Sequence, residues 1–274
     1  DTTLTGGDGA ADVIKIGTNA TAFAIANTDV WAGVTTVETI TAVANSAAVS
    51  IALDVSAYAA GIRTVDISAG SSATGNVIDI SEFVGTDATA LTGSSAEANT
   101  ITGGAGIDTI LGAGDVNKDD IFTGNGGNDI LASSNAADSD TFKFSATGAL
   151  NGSDTISAFT AGDGLDILDF TAFATGGAVD AAGTAQTGTA TISAFTTAST
   201  GEVDINNKVV LFDNGGTFTT AALLAAEFDD GTGGGTAAAF QDTNAAVKAV
   251  IIEGNDGGAT IGAKIWYVDS SLDG

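Results

Sequence analysis

Between Asn99 and Phe144, aspartates recur at the ends of glycine-rich turns, and each leads into a short apolar strand word: DTIL at Asp108, DDIF at Asp119, NDIL at Asn128 and DTFKF at Asp140. The two cleanest turns are Gly103-Gly104-Ala105-Gly106-Ile107-Asp108 and Gly124-Asn125-Gly126-Gly127-Asn128-Asp129. Glycine lets the backbone turn sharply and pack closely, which leaves carbonyl oxygens accessible. Carbonyls and carboxylates are hard oxygen donors. Calcium takes about six to eight of them and tolerates backbone carbonyls, so this is calcium-site chemistry. The candidate ligands are Gly104, Gly106 and Asp108 in the first turn and Asn125, Gly127 and Asp129 in the second. Asp119, Asp120, Asp138 and Asp140 come from the two flanking turns. No Asp-x-Asp-x-Asp-Gly loop closed by a glutamate is present, so an EF-hand is not expected.

The spacing says how the turns must be arranged. Asp120 and Asp129 are nine residues apart, while Asp108–Asp120 and Asp129–Asp140 are nine plus a short insertion. Repeats of this size with a strand in each are the signature of a parallel β-helix. With two units per helical turn, Asp108 stacks on Asp129 and Asp120 on Asp140. Columns of stacked carboxylates repel each other. A cation held between turns removes the conflict.

GGAGIDTIL (Gly103–Leu111) and GNGGNDIL (Gly124–Leu131) resemble the nonapeptide of the RTX family of secreted proteins. SDTFKF, followed by GSDTISAFTAGDGLDILDFTAF (Gly152–Phe173), is similar to the segment that often closes such repeats. A degenerate echo, GGDGAADVI, runs from Gly6 to Ile14, with one residue more before its second aspartate. The resemblance covers about residues 99–173. It implies calcium-dependent folding outside the cell and export by a type I secretion apparatus.

The elements around the repeats keep a β rhythm. VETITA (Val37–Ala42), VSIALDVS (Val49–Ser56), RTVDIS (Arg63–Ser68) and NVIDIS (Asn76–Ser81) are apolar at alternate positions, as half-buried strands are. WAGVTTVETITA (Trp31–Ala42) and YAAGIRTVDISA (Tyr58–Ala69) read as an internal repeat with a period of 27 residues. These phrases also resemble segments of alphaproteobacterial S-layer proteins, in which calcium sites are embedded in Thr/Ala/Gly-rich β-coils. Past residue 174 the character changes. Asn206–Gly216 reads as a strand into a turn, Thr219–Gly231 as a short helix, and Ala249–Gly254 with Ala263–Ser271 as a hairpin. Asp154, Asp163, Asp166 and Asp169, like Asp269 and Asp273, fit a further cation site and plain turns about equally well.

The expected fold is therefore all-β: a right-handed parallel β-helix or β-roll solenoid with a C-terminal β-rich cap. Residues 1–98 form solenoid without clear calcium repeats, 99–173 the calcium-binding β-roll and its closing segment, and 174–274 a cap and assembly region.

Composition narrows the chemistry. The chain has 34 acidic and seven basic residues, a net charge of −27, and only six of the acids are Glu. Asp suits turns and short cation loops. Such a charge disfavours nucleic acid and anionic membranes and makes multivalent cations the natural counterions. With no Cys there is no disulfide and no thiolate site. With no His there is no His-dependent triad or zinc site. The chain holds no Met, which points to a processed or partial chain. No apolar run is long enough to span a bilayer. GxSxG, HExxH and phosphate-loop motifs are absent, and the one arginine, Arg63, with sparse aromatics, gives little with which to hold a sugar.

These readings converge on a secreted, non-enzymatic structural protein. Calcium folds it, and it assembles with copies of itself into an extracellular layer or filament, with a cell-surface polysaccharide as a further partner. The alternative is the C-terminal folding and export module of a type I-secreted enzyme or adhesin. Electron microscopy in calcium discriminates the two.

Overall fold

The computed structural model describes residues 4–172 apart from short turn segments (8, 10–11, 18–21, 44–46, 71–74, 115–117, 134–137, 148–149 and 160–165); beyond 172 it describes only the backbone of strand segments. The chain divides into two compact units, residues 1–144 with 149–169, and residues 145–148 with 170–274.

The first unit is a parallel β-solenoid. In chain order its elements are β1 (Leu4–Thr5), β2 (Val13–Ile16), β3 (Phe23–Ile25), β4 (Val34–Thr35), β5 (Thr39–Ala42), β6 (Val49–Ala52), helix α1 (Val55–Ala60), β7 (Thr64–Asp66) and β8 (Asn76–Asp79). Then follow β9 (Thr89–Thr92), β10 (Asn99–Thr102), β11 (Asp108–Leu111), β12 (Ile121–Thr123), β13 (Ile130–Ala132), β14 (Thr141–Lys143), β15 (Thr155–Ser157) and β16 (Ile167–Asp169). Successive strands from β5 on alternate between two seven-stranded sheets, β3-β6-β8-β10-β12-β14-β16 and β2-β5-β7-β9-β11-β13-β15; β1 and β4 pair as a short third sheet.

Period-two alternation builds the core. In β5 to β11 each strand turns every second side chain inward, and the register stacks those residues from turn to turn. One column runs Ile51, Ile78, Ile101, Phe122, Phe142, and the facing one Ile40, Val65, Leu91, Ile110, Leu131. All ten are buried. The Phe122 and Phe142 rings stack with centroids 5.1 Å apart. A fully buried side chain of this kind contributes roughly 1.5–3 kcal/mol. Turn length varies along the coil. Stacked positions are 26 residues apart at Asp12–Glu38 and 27 at Val49–Asn76, but only 21 at Asp108–Asp129 and 20 at Asp120–Asp140. The glycine turns are what shorten it.

Two local expectations are corrected. VSIALDVS is strand only as far as Ala52. Asp54 then caps α1, its carboxylate accepting from the backbone N–H groups of Ser56 (2.9 Å) and Ala57 (3.1 Å), and Gly61 ends the helix at φ 110°. An N-cap aspartate satisfies amides that a helix start leaves unpaired, and this overrides the apolar alternation. The 27-residue phrase also does not set the pairing. Ile40 lies opposite Val65, 25 residues on, rather than opposite Ile67. The two-residue slip keeps the inward face inward, because side chains repeat every second residue.

In the second unit, Ala178–Asp180, Lys208–Asp213, Lys248–Asn255 and Gly262–Asp269 form a four-stranded sheet in that order, and Val203–Asp204, Phe240–Gln241 and Phe228–Asp229 form a three-stranded one. The expected hairpin is present, antiparallel, with Ile251 opposite Trp266. Of the helix expected over Thr219–Gly231, only Phe228–Asp229 is described, and it is extended; the rest lies outside the described residues.

Candidate functional site: two buried carboxylate ladders

The same alternation that buries Ile110 buries Asp108, two residues earlier in β11. Register then stacks acids. Asp108, Asp129 and Asp154 form one ladder, at the start of β11 and directly ahead of β13 and β15. Asp120, Asp140 and Asp166 form the other, ahead of β12, β14 and β16. Asp108 and Asp129 are 0% and 1% exposed, and Asp120, Asp140 and Asp166 are buried as well.

Each rung is tied to the one before by its backbone. The Asp108 N–H donates to Asp129 Oδ1 (2.8 Å), and the Asp129 N–H to Asp154 Oδ1 (3.0 Å). In the other ladder the Asp120 N–H donates to Asp140 Oδ1 (2.7 Å) and the Asp140 N–H to Asp166 Oδ1 (3.0 Å). Asp108 also accepts from Gly104 N–H (2.7 Å) and the Thr89 hydroxyl. Asp120 Oδ1 takes both the N–H (2.7 Å) and the side-chain amide (2.9 Å) of Asn99. Asp129 differs: its Oδ2 is buried with no hydrogen-bond partner. Glycine makes room for these carboxylates. A Cβ on Gly103 would collide with Asp108 Oδ2 and the Gly124 carbonyl, and one on Gly124 with Asp129 Oδ2.

Burial makes the acids weak. It pushes the Asp120 and Asp129 carboxyls up to about 7 and Asp154 up to about 6. Neighbouring carboxylates add to it, Asp140 and Asp138 at Asp120, and Asp154 and Asp108 at Asp129. Asp108 and Asp140 are raised by burial too, against hydrogen bonds from Thr89 and Ser133 that favour the charged form. Two unit charges about 5 Å apart, the rung spacing, repel by about 3 kcal/mol at an effective dielectric of about 20.

The other expected ligands are placed as follows. Asp138 is buried within electrostatic reach of Asp120 and Asp140. Asp119 is exposed, outside the ladders, and accepts from Ser139 N–H (3.0 Å). The Gly104 carbonyl accepts from Gly126 N–H (3.1 Å), and Asn125 donates its amide to the Gly103 carbonyl (2.8 Å). A Cβ on Gly127, which sits at φ 130°, would collide with the Gly106 carbonyl. Among the described residues no three acidic side chains converge in a metal-cluster geometry. The donors therefore divide between stacked carboxylates and turn carbonyls. Of the acids left open by spacing, Asp154 and Asp166 are ladder members and Asp169 ends β16; Asp163 and Asp273 lie outside the described residues, as does the side chain of Asp269. Asn99 belongs to a ladder as well. Its signal was the word NTIT, which has the form of DTIL with an amide in place of the acid.

The fold and this site define a class: a parallel β-solenoid carrying buried carboxylate ladders in its glycine-rich turns. No protein-family model matches the chain, and neither a curated protein nor a solved structure is significantly similar to it.

Proposed function

We propose that this chain is a secreted, calcium-dependent structural protein, a right-handed β-roll closed by its C-terminal unit, that assembles into an extracellular layer or filament. The observation that carries the calcium reading is Asp129 Oδ2, a carboxylate oxygen buried without a partner inside a column of like charges. An unpaired buried charge is costly, and a cation is the group that relieves it. The donor set is all hard oxygen, which favours calcium over the softer transition metals. Cations would sit between neighbouring rungs, along Asp108, Asp129 and Asp154 in one ladder and along Asp120, Asp140 and Asp166 in the other, with the turn carbonyls of Gly104, Gly106 and Gly127. Calcium would supply charge neutralisation there.

Binding then becomes folding energy, since only the coiled chain brings the rungs together. Where calcium is scarce the ladders repel and the Asp-rich turns stay open, as export requires. In millimolar calcium they close. Assembly is supported by the outer faces of the sheets. Thr39, Thr64, Ala90, Thr109, Ile130 and Thr155 form a charge-free outward column on a chain of net charge −27. An uncharged column is where copies of such a chain approach with least repulsion. Electron microscopy and light scattering with calcium and with chelator test the reading. Regular sheets or fibres that disperse on chelation are expected; monomers in both conditions favour the export-module alternative.

A further inference from the structure

We infer that the strands from β5 to β9 (Thr39–Thr92) form a cation-independent template on which the aspartate-rich turns close. This rests on the reading of the ladders as calcium sites. The ladder through Asp120 changes chemistry along the chain. Its positions run Phe23, Val49, Asn76, Asn99, then Asp120, Asp140 and Asp166. Apolar groups come first, amides next and acids last. The Asn76 carbonyl oxygen accepts from Val49 N–H (3.1 Å), the bond that Asp140 makes further on, with no charge in the column. At the junction, the Asn99 amide donates to Asp120 Oδ1 and to the Ser94 carbonyl (3.0 Å), doing with N–H groups what a cation does elsewhere.

The other ladder begins with a stacked acid pair, Asp12 N–H donating to Glu38 (2.9 Å), and is free of acids between Glu38 and Asp108. Ahead of Asp108 its positions are Thr89, Arg63 and Glu38. The chain's one arginine thus lies in the column. Its guanidinium stacks 3.7 Å above the Tyr58 ring and pairs with Asp87 at 2.8 Å. Tyr58 gives its hydroxyl to the same carboxylate (2.8 Å). This clamp ties the β6–β7 connection to the β8–β9 connection, and Asp54 and Gly61 fix the helix that presents Tyr58. Lys118 does similar work across the junction, 2.9 Å from Glu97. From β5 to β9 the columns carry an arginine, amides and a hydroxyl, whereas the rear turns have stacked acids. A preformed last rung spares the rear turns the costly first step of ordering a coil, so calcium has only to propagate it.

Hydrogen exchange on the full chain, in calcium and then in chelator, tests this. In chelator the amides of residues 39–79 should stay protected while those of 108–143 exchange freely. Uniform loss of protection would overturn the template and leave the calcium reading intact. No loss anywhere would overturn the calcium reading and the template with it. Arg63→Leu should lower protection of residues 39–79 in chelator about tenfold and raise the calcium concentration at which 108–143 become protected. If that variant matches the parent in both, the clamp has no part in the template.

Discussion

The backbone N–H of Asp108 donates to Oδ1 of Asp129, 21 residues further along, at 2.8 Å, while the other oxygen of Asp129 is buried with no partner. One carboxylate thus has a structural oxygen and a free one. The first fixes the register of two turns. The second is the oxygen on which the proposed cation would act.

That division predicts opposite signs for Asp129→Asn with and without calcium. The amide keeps an oxygen for Asp108 N–H and removes the buried charge. In chelator at pH 8 the variant should be more stable than the parent by on the order of 1–3 kcal/mol. In calcium it should gain less than the parent from the metal. Thermal melts in both conditions measure it; a variant less stable in chelator and equally stabilised by calcium would contradict the assignment of Oδ2.

The pH dependence of the metal-free protein follows from the direction of the shifts. Asp120 and Asp129 rise to about 7 and Asp154 to about 6 on folding. A raised carboxyl contributes stability that is fully present below its unfolded value, near 3.8, and is lost as pH rises through the folded one. Between pH 5 and 8 the chelated protein should therefore lose stability as the ladders ionise. Calcium competes with those protons, so its affinity should rise over the same range. Melts in chelator at the two ends of the window decide it, and a stability that climbs with pH there would refute the ladder burial.

Two glycines in one turn should respond differently to a methyl group. At Gly124 a Cβ would run into the Asp129 carboxylate, whereas at Gly126 its nearest neighbour is 3.6 Å away. Gly124→Ala is expected to cost about 1–3 kcal/mol and to weaken calcium binding. Gly126→Ala should be close to neutral in both. Denaturation and calcium titration of the pair separate cradle geometry from glycine content, since both variants remove one glycine from the same six residues.

Much of this was legible in local sequence. DTIL and NTIT announce their inward residues by alternation, and Gly103 and Gly124 mark the turns because no other residue leaves the carboxylates room. What local spacing did not reveal lies across turns. Asp154 and Asp166 are ladder members through pairing 25 and 26 residues away, distances set by how much chain each turn contains. Arg63 looked like an isolated charge until register placed it in line with Asp108. Helix α1 was hidden because Asp54 directly follows the inward run Val49, Ile51, Leu53 of a plausible strand word, and only its side-chain bonds reveal the cap.

Asn99→Asp tests where the metal-dependent part begins. Asn99 donates its side-chain amide to Asp120 Oδ1 at 2.9 Å and to the Ser94 carbonyl at 3.0 Å. The substitution removes both donors and sets a carboxylate against Asp120 in a buried column. Without calcium at neutral pH the expected cost is about 3–5 kcal/mol, that of leaving a buried charge unpaired. Calcium should recover part of it, because the substitution lengthens the column of acids by one rung and gives the cation one more oxygen pair. The signature is a calcium-induced rise in denaturation midpoint larger than the parent's. Equal loss in calcium and in chelator would mean that the rung at Asn99 is a hydrogen-bond junction alone, with the cation sites confined to Asp120 and beyond.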